Sequence, residues 1–296
     1  MEAKAEFMTQ VNDLYKFQAI QGHLGWDQET IMPAKGAEAR GEILAWLASQ
    51  RHEKLIDPNF GKVIAELENQ ETDEFLSANV KEMRRKYDEA VKIPTEFVAE
   101  FTKARSEALI AWQQARKESD FSLFSPHLEK LISMTREKID YLGCEDTPYD
   151  VLLDEYEVGM KVSDYDPLFA ELKERLVPLL SKIMQSGVEI PRLPESLVFT
   201  EKKQEKFCNE VSKAMGFDFE AGRMDISTHP FCAGLWPGDT RFTTRFDEKD
   251  PFSCLYAVMH ESGHGLYEQG LPFEQSFSPA GGAISLGVHE SQSRFW

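Results

Sequence analysis

The run Asp250-Pro251-Phe252-Ser253-Cys254-Leu255-Tyr256-Ala257-Val258-Met259-His260-Glu261-Ser262-Gly263-His264 decides how the rest of the chain is read. It predicts a helix, with Asp250 at the N-cap, Pro251 in the first helical position and Gly270 closing it. Residues four apart share a helical face, so His260 and His264 can address one metal ion. Glu261 is turned by about 100° from His260. That sets it beside an ion rather than on it, where a general base for an attacking water belongs. An H-E-x-x-H pentad also occurs by chance, and paired histidines are often ordinary surface or core residues. Three local features favour chemistry. Glycines flank His264, although each disfavours a helix by about 1 kcal/mol. Leu255, Met259 and Leu266 are expected to form an apolar face separate from the histidines. A third ligand candidate follows at a workable distance.

That candidate is Glu290, in Val288-His289-Glu290-Ser291-Gln292-Ser293-Arg294. A catalytic zinc site uses three protein ligands and keeps one position open. A loop rich in Gly, Pro and Ser covers 270–282, and a second helix is expected to start near Ala283. Residues 250–296 are therefore read as a metal-binding helix pair. Spacing alone leaves other Asp, Glu and His residues open as the third ligand.

The 296 residues suffice for a large core or two domains. With no repeat or flexible linker between segments, residues 1–296 read as one mostly helical domain. The net charge of -18, without a basic tract, argues against nucleic acid and anionic membranes as partners. The four cysteines are scattered with no C-x-x-C, which fits free thiols in a reducing compartment. No stretch approaches 18 apolar residues and the start lacks a signal-peptide pattern, so the expected location is cytoplasmic.

Working outward, Lys4–Gly22 and Glu38–Ser49 read as helices, with Leu24–Pro33 as a packed corner between them. Residues 62–114 are helix-rich. The charges of Lys81–Glu89 read as a solvated face, and Pro94 starts a helix with the stripe Phe97, Phe101, Ala104, Ala108 and Trp112. Phe121–Leu142 is a further amphipathic helix. Tyr149–Gly159 reads as an acidic loop, with a site wall as the alternative. Ser163 and Asp166 are expected to box the start of a helix that runs to Gln185 and is interrupted near Pro178. Another helix is expected from about Thr200 to Met215. A small β element over 221–246 follows. Met224–Phe231 and Asp239–Phe246 read as strands joined by the turn Ala233–Gly238. A sheet beside the metal helix can offer an edge to an extended peptide. His229, Asp239 and Arg241 are candidate substrate-binding residues on that ground; a structural His-Pro turn and a strand ion pair are equally good readings.

The stretches Trp26–Pro33, Tyr149–Tyr156, His229–Phe231, Asp239–Thr243, His260–His264 and His289–Arg294, taken together and in this order, resemble the M32 metallocarboxypeptidases, the carboxypeptidase Taq family. The resemblance implies release of single residues from peptide C-termini with broad preference, usually sparing Pro. It implies one divalent metal per chain, Zn2+ or Co2+. By the family's motif His260, His264 and Glu290 correspond to the metal ligands and Glu261 to the general base. The implied fold is mainly α, similar to the gluzincin-type helical metallopeptidases, with a deep groove lined by the H-P-F and D-x-R-x-T motifs. The implied assembly is a homodimer. Family members are longer and carry later motifs absent here, including an Arg-containing segment that grips the substrate's terminal carboxylate. The chain thus reads as an apparently truncated, N-terminal part, with weak or no activity, weak metal binding and an exposed apolar face expected on its last two helices. The competing readings are a gluzincin oligoendopeptidase or aminopeptidase, and a non-catalytic helical module.

Overall fold

The computed structural model describes residues 2–189, 191, 193–194 and 196–296. The first layer is helical: α1 (Glu2–Thr30), α2 (Ala37–Leu55), α3 (Pro58–Glu68), α4 (Glu74–Ala90), α5 (Thr95–Glu118) and α6 (Ser125–Leu142). Their starts are set locally. Asp57 and Asp73 cap α3 and α4 by accepting the Asn59 and Leu76 N–H groups, and Pro94 precedes α5. Phe7, Val11 and Leu14 of α1 meet Phe60 and Ile64 of α3 and Leu76, Val80 and Met83 of α4 in one buried core. A second cluster, Phe97, Ala104 and Met134, joins α5 to α6.

The expected corner at Leu24–Pro33 is not there: α1 continues to Thr30. Its end is fixed by tertiary partners that local sequence does not display. Gln28 donates to Ser106 Oγ of α5 at 2.7 Å, and Arg40 of α2 binds the Leu24 carbonyl and the Asp27 carboxylate.

Next come α7 (Pro148–Leu153), α8 (Val162–Met184) and α9 (Glu201–Met215). Asp164, rather than Ser163 or Asp166, caps α8 by accepting the Lys161 N–H at 2.9 Å, and the helix runs through Pro178 without a break. Leu168, Phe169, Leu172 and Leu180 stay exposed along it.

The sheet consists of β1 (Gly222–Ile226), β2 (Cys232–Trp236) and β3 (Asp239–Thr244), in the order β1-β3-β2. β1 runs parallel to β3 and β2 antiparallel. The predicted turn at Ala233–Gly238 is mostly strand: β2 pairs Cys232 with Phe242 and Gly234 with Thr240, leaving a tight turn around Pro237 and Gly238. Its Gly and Ala content hid a strand whose stability comes from its neighbour rather than its own propensity.

Helix α10 (Pro251–Gln269) lies across this sheet, and α11 (Leu286–Phe295) lies against α10. The core beneath α10 is Cys208, Phe217, Phe242, Cys254 and Val258, with Phe217 edge-on to Phe242 at 5.0 Å. No helix among the described residues is long and apolar enough to cross a membrane.

Candidate metal centre

Local chemistry starts α10 as its sequence demands. Asp250 accepts the Ser253 N–H at 3.2 Å, Pro251 opens the helix and Gly270 closes it. The buried face differs from the expected one. Cys254, Val258, Ser262 and Gly265 face inward, while Leu255, Met259 and Leu266 are only half-buried. Small side chains win this face because α9 and β3 approach it closely. Ser262 Oγ lies 2.8 Å from Ser212 Oγ of α9, and Cys254 Sγ lies 3.4 Å from both Cys208 Sγ and Thr244 Oγ1.

The glycines flanking His264 have the same cause. A Cβ on Gly263 would sit 2.7 Å from Gln292 O and Ser293 Cα of α11. One on Gly265 would sit 2.6 Å from the Phe217 ring. The helical preference given up at these positions admits α11 on one side and the aromatic core on the other.

Helix α11 begins at Leu286, three residues beyond the expected Ala283, because Ser285 takes the N-cap and accepts the Val288 N–H at 3.0 Å. Glu290 is thereby carried to the histidines. Its Oε2 lies 3.2 Å from His264 Nε2 and its Oε1 3.7 Å from His260 Nε2. One ligand atom from each of the three residues falls within 4.8 Å of the other two.

The donor set fits a divalent cation. His264 Nδ1 is 2.5 Å from His289 Nδ1, and His289 Nε2 is 2.7 Å from Glu268 Oε1. Burial holds His264 below the ordinary imidazole value, with His289 and His260 acting in the same direction against Glu290. Two imidazoles and a carboxylate are the donor types of a catalytic zinc site, and a His264 that holds its proton on Nδ1 would have its Nε2 lone pair free for the ion.

Glu261, one residue round the helix from His260, is 6% exposed. Burial, followed by the charge of Glu290, pushes its carboxyl up to about 8. It is a buried carboxyl group that follows His260 on α10 and feels the charge of Glu290, and it enters no ion pair among the described residues.

Asp239 and Arg241 lie on β3 and pair with one another at 2.6 and 2.7 Å. Asp239 also meets His23 Nε2 at 3.1 Å, and the Arg241 guanidinium lies 5.7 Å from the Trp26 ring centre. His229 is exposed in the loop before β2, with its carbonyl accepting the Ser227 hydroxyl at 2.6 Å. Next to it, Phe231 stacks edge-on to Trp26 at 5.4 Å and donates its N–H to Thr243 Oγ1 at 3.0 Å. The W-D-Q-E-T, H-P-F and D-x-R-x-T stretches are thus stitched together where α1 meets the sheet. Among the described residues no hydrogen bond or ion pair links His229, Asp239 or Arg241 to His260, His264 or Glu290.

The charged face Lys81–Glu89 is not simply solvated. Arg85 bonds Glu82, Glu89 and, across to the segment after α7, Asp154 at 3.1 Å. It lines a cavity of about 490 Å³ together with Tyr15, Lys86, β2 and Glu268.

Sequence reasoning passed over Glu268, His289 and Glu157. Glu268 continues the 260–264 spacing by one more turn, and His289 adjoins Glu290, so both had a usable signal. Glu157 had none: its partners, Ser285 and Gly287, lie about 130 residues on.

Known proteins resemble this chain over nearly its whole length. The family model for carboxypeptidase Taq (M32) metallopeptidases matches residues 6–296. Thermostable carboxypeptidase 1 of Thermus thermophilus is 40% identical over 288 residues, covering 92% of this chain and 56% of the relative. Carboxypeptidase 1 of Bacillus subtilis is 36% identical, covering 98% of this chain and 58% of the relative. The crystal structure of the M32 carboxypeptidase from Deinococcus radiodurans R1 superposes with a TM-score of 0.85 at 35% identity, over 100% of this chain and 60% of its own. The chain spans a little over half the length of the curated relatives it matches. On the family match and these identities, the chain belongs to the carboxypeptidase Taq (M32) metallopeptidase family.

Proposed function

We propose that the protein is a metal-dependent carboxypeptidase that releases single residues from peptide C-termini. In this reading His260, His264 and Glu290 hold one Zn2+ or Co2+, and Glu261 is the general base. The observation that carries it is the convergence of three acceptor atoms within 4.8 Å beside a buried, unpaired carboxyl group. When bound, the cation supplies Lewis acidity toward the scissile carbonyl and the attacking water.

The chain's own residues do the rest. Glu261 takes the proton of the attacking water and hands it to the departing amine. The cavity between α4 and the edge strand β2, which reaches Glu268 of α10, offers an extended peptide a row of backbone groups. His229 is exposed, and partial desolvation together with the charges of Arg116 and Arg245 keeps its ring toward the neutral form, able to donate or accept a substrate hydrogen bond. Arg241, held by Asp239, orders the wall near Trp26. The unbridged thiols of Cys208 and Cys254 suit a reducing, cytoplasmic setting, and the assembly implied by the resemblance is a homodimer.

The test is hydrolysis of matched peptides with free and amidated C-termini by the zinc- or cobalt-loaded protein, with products read by mass spectrometry. Stepwise loss of C-terminal residues from the free acid alone is expected. Internal or N-terminal cleavage of the amidated peptide, or no turnover of either, would overturn the reading.

A further inference from the structure

We propose that Glu268 and His289 are positioning residues that form a hydrogen-bonded relay fixing the tautomer and ring orientation of His264. The proposal rests on the reading of His264 as a metal ligand. A carboxylate has no proton to give, so the 2.7 Å contact between Glu268 Oε1 and His289 Nε2 requires the proton on that nitrogen. In the proposed relay His289 carries that one proton and presents a bare Nδ1. That atom lies 2.5 Å from His264 Nδ1, so the His264 proton must be there, donated to His289. His264 Nε2 is left bare and aimed at the centre of the three ligand atoms. The relay thus selects the one tautomer of His264 that can bind a cation through Nε2.

Three independent features hold the relay in place. Glu268 sits one turn beyond His264 on α10, and His289 precedes Glu290 on α11, so the relay ties together the two helices that supply ligands. The Tyr267 ring lies 4.7 Å from the His289 ring and supports it edge-on. On the far side, β2 makes room for the Glu268 carboxylate. A Cβ on Gly234 would lie 2.0 Å from Glu268 Oε2. His289 and Glu268 are only 15% and 17% exposed, so water competes little for their hydrogen bonds.

The competing arrangement has His289 protonated on both nitrogens, donating to His264 Nδ1 and forcing the His264 proton onto Nε2. Nitrogen-15 NMR of histidine-labelled, metal-free protein separates the two. The expected pattern is His264 protonated at Nδ1 and His289 at Nε2, with the His264 pattern scrambled in His289→Ala. A proton on His264 Nε2 in the wild-type chain would overturn the proposal. The second measurement is zinc affinity by competition with a chromogenic chelator. Glu268→Ala and His289→Ala are each expected to weaken zinc by about 10- to 100-fold. The double variant should be no weaker than His289→Ala, because Glu268 acts only through His289. Glu268→Gln, which keeps an acceptor oxygen, should recover most of the affinity. Additive losses, or full affinity in Glu268→Ala, would overturn the relay. A wild-type chain that binds no zinc would sink the ligand reading instead, while the NMR pattern would still decide the relay.

Discussion

Glu157 holds Gly287: its Oε2 accepts the Gly287 N–H at 3.0 Å and the Ser285 hydroxyl at 2.9 Å, while the Tyr156 carbonyl accepts the Leu286 N–H at 3.0 Å. The acidic segment after α7 is therefore a clamp on the N-terminus of the helix that carries Glu290, and its Glu155 and Val158 also line the cavity beside β2. Two charge-assisted hydrogen bonds at a helix start stabilise it by electrostatics as well as by satisfying free N–H groups. Glu157→Ala is expected to destabilise the chain by about 1–2 kcal/mol. Hydrogen exchange should quicken selectively over residues 286–290, and zinc retention should fall. Unchanged exchange across that segment would show that the clamp does not order α11.

Gly263 sets the spacing between α10 and α11. Gly263→Ala improves helix propensity by about 1 kcal/mol, yet its Cβ would meet α11 backbone at 2.7 Å, where no flexible side chain can yield. Overpacking of this kind costs about 1–3 kcal/mol. We expect a lower thermal midpoint and at least a tenfold loss of zinc affinity as Glu290 is pushed from the histidines. A gain in stability with unchanged zinc affinity would mean the helices are not held by this contact.

What was readable in the sequence is what local rules determine. The Asp250 cap, the Pro251 start and the shared face of His260 and His264 follow from helix geometry alone, whereas spacing made Glu290 one candidate among several and the family motif singled it out. What was not readable depends on residues remote in the chain. Trp26 stays helical because Phe231 and Arg241 cover it. β2 exists because β3 pairs with it. The inward face of α10 is Cys254, Val258 and Ser262 rather than its leucines, because α9 and β3 leave room only for small groups.

Glu261 gives the metal-free chain a pH dependence of definite sign. Its folded-state carboxyl is raised to about 8 from an ordinary 4.5. Below 4.5 the group is protonated in both states and carries no penalty. Between 4.5 and 8 the unfolded chain gives up this proton while the folded chain keeps it, so stability falls across that window and levels off above it. The loss is on the order of a few kcal/mol. Chemical denaturation of the metal-free chain at several pH values should show it, with Glu261→Gln flattening the profile and being the more stable protein at alkaline pH. A profile identical in wild type and Glu261→Gln would contradict the burial assigned to this carboxyl.

The convergence of His260, His264 and Glu290 is tested by zinc content after equilibrium dialysis and removal of free metal. One zinc per chain is expected in the wild type, lost on His260→Ala, His264→Ala or Glu290→Gln and kept in Glu261→Gln, since the proposed general base is not one of the three proposed ligands. Metal content that is unchanged when any one of the three ligands is removed, or that disappears with Glu261→Gln, would contradict the site.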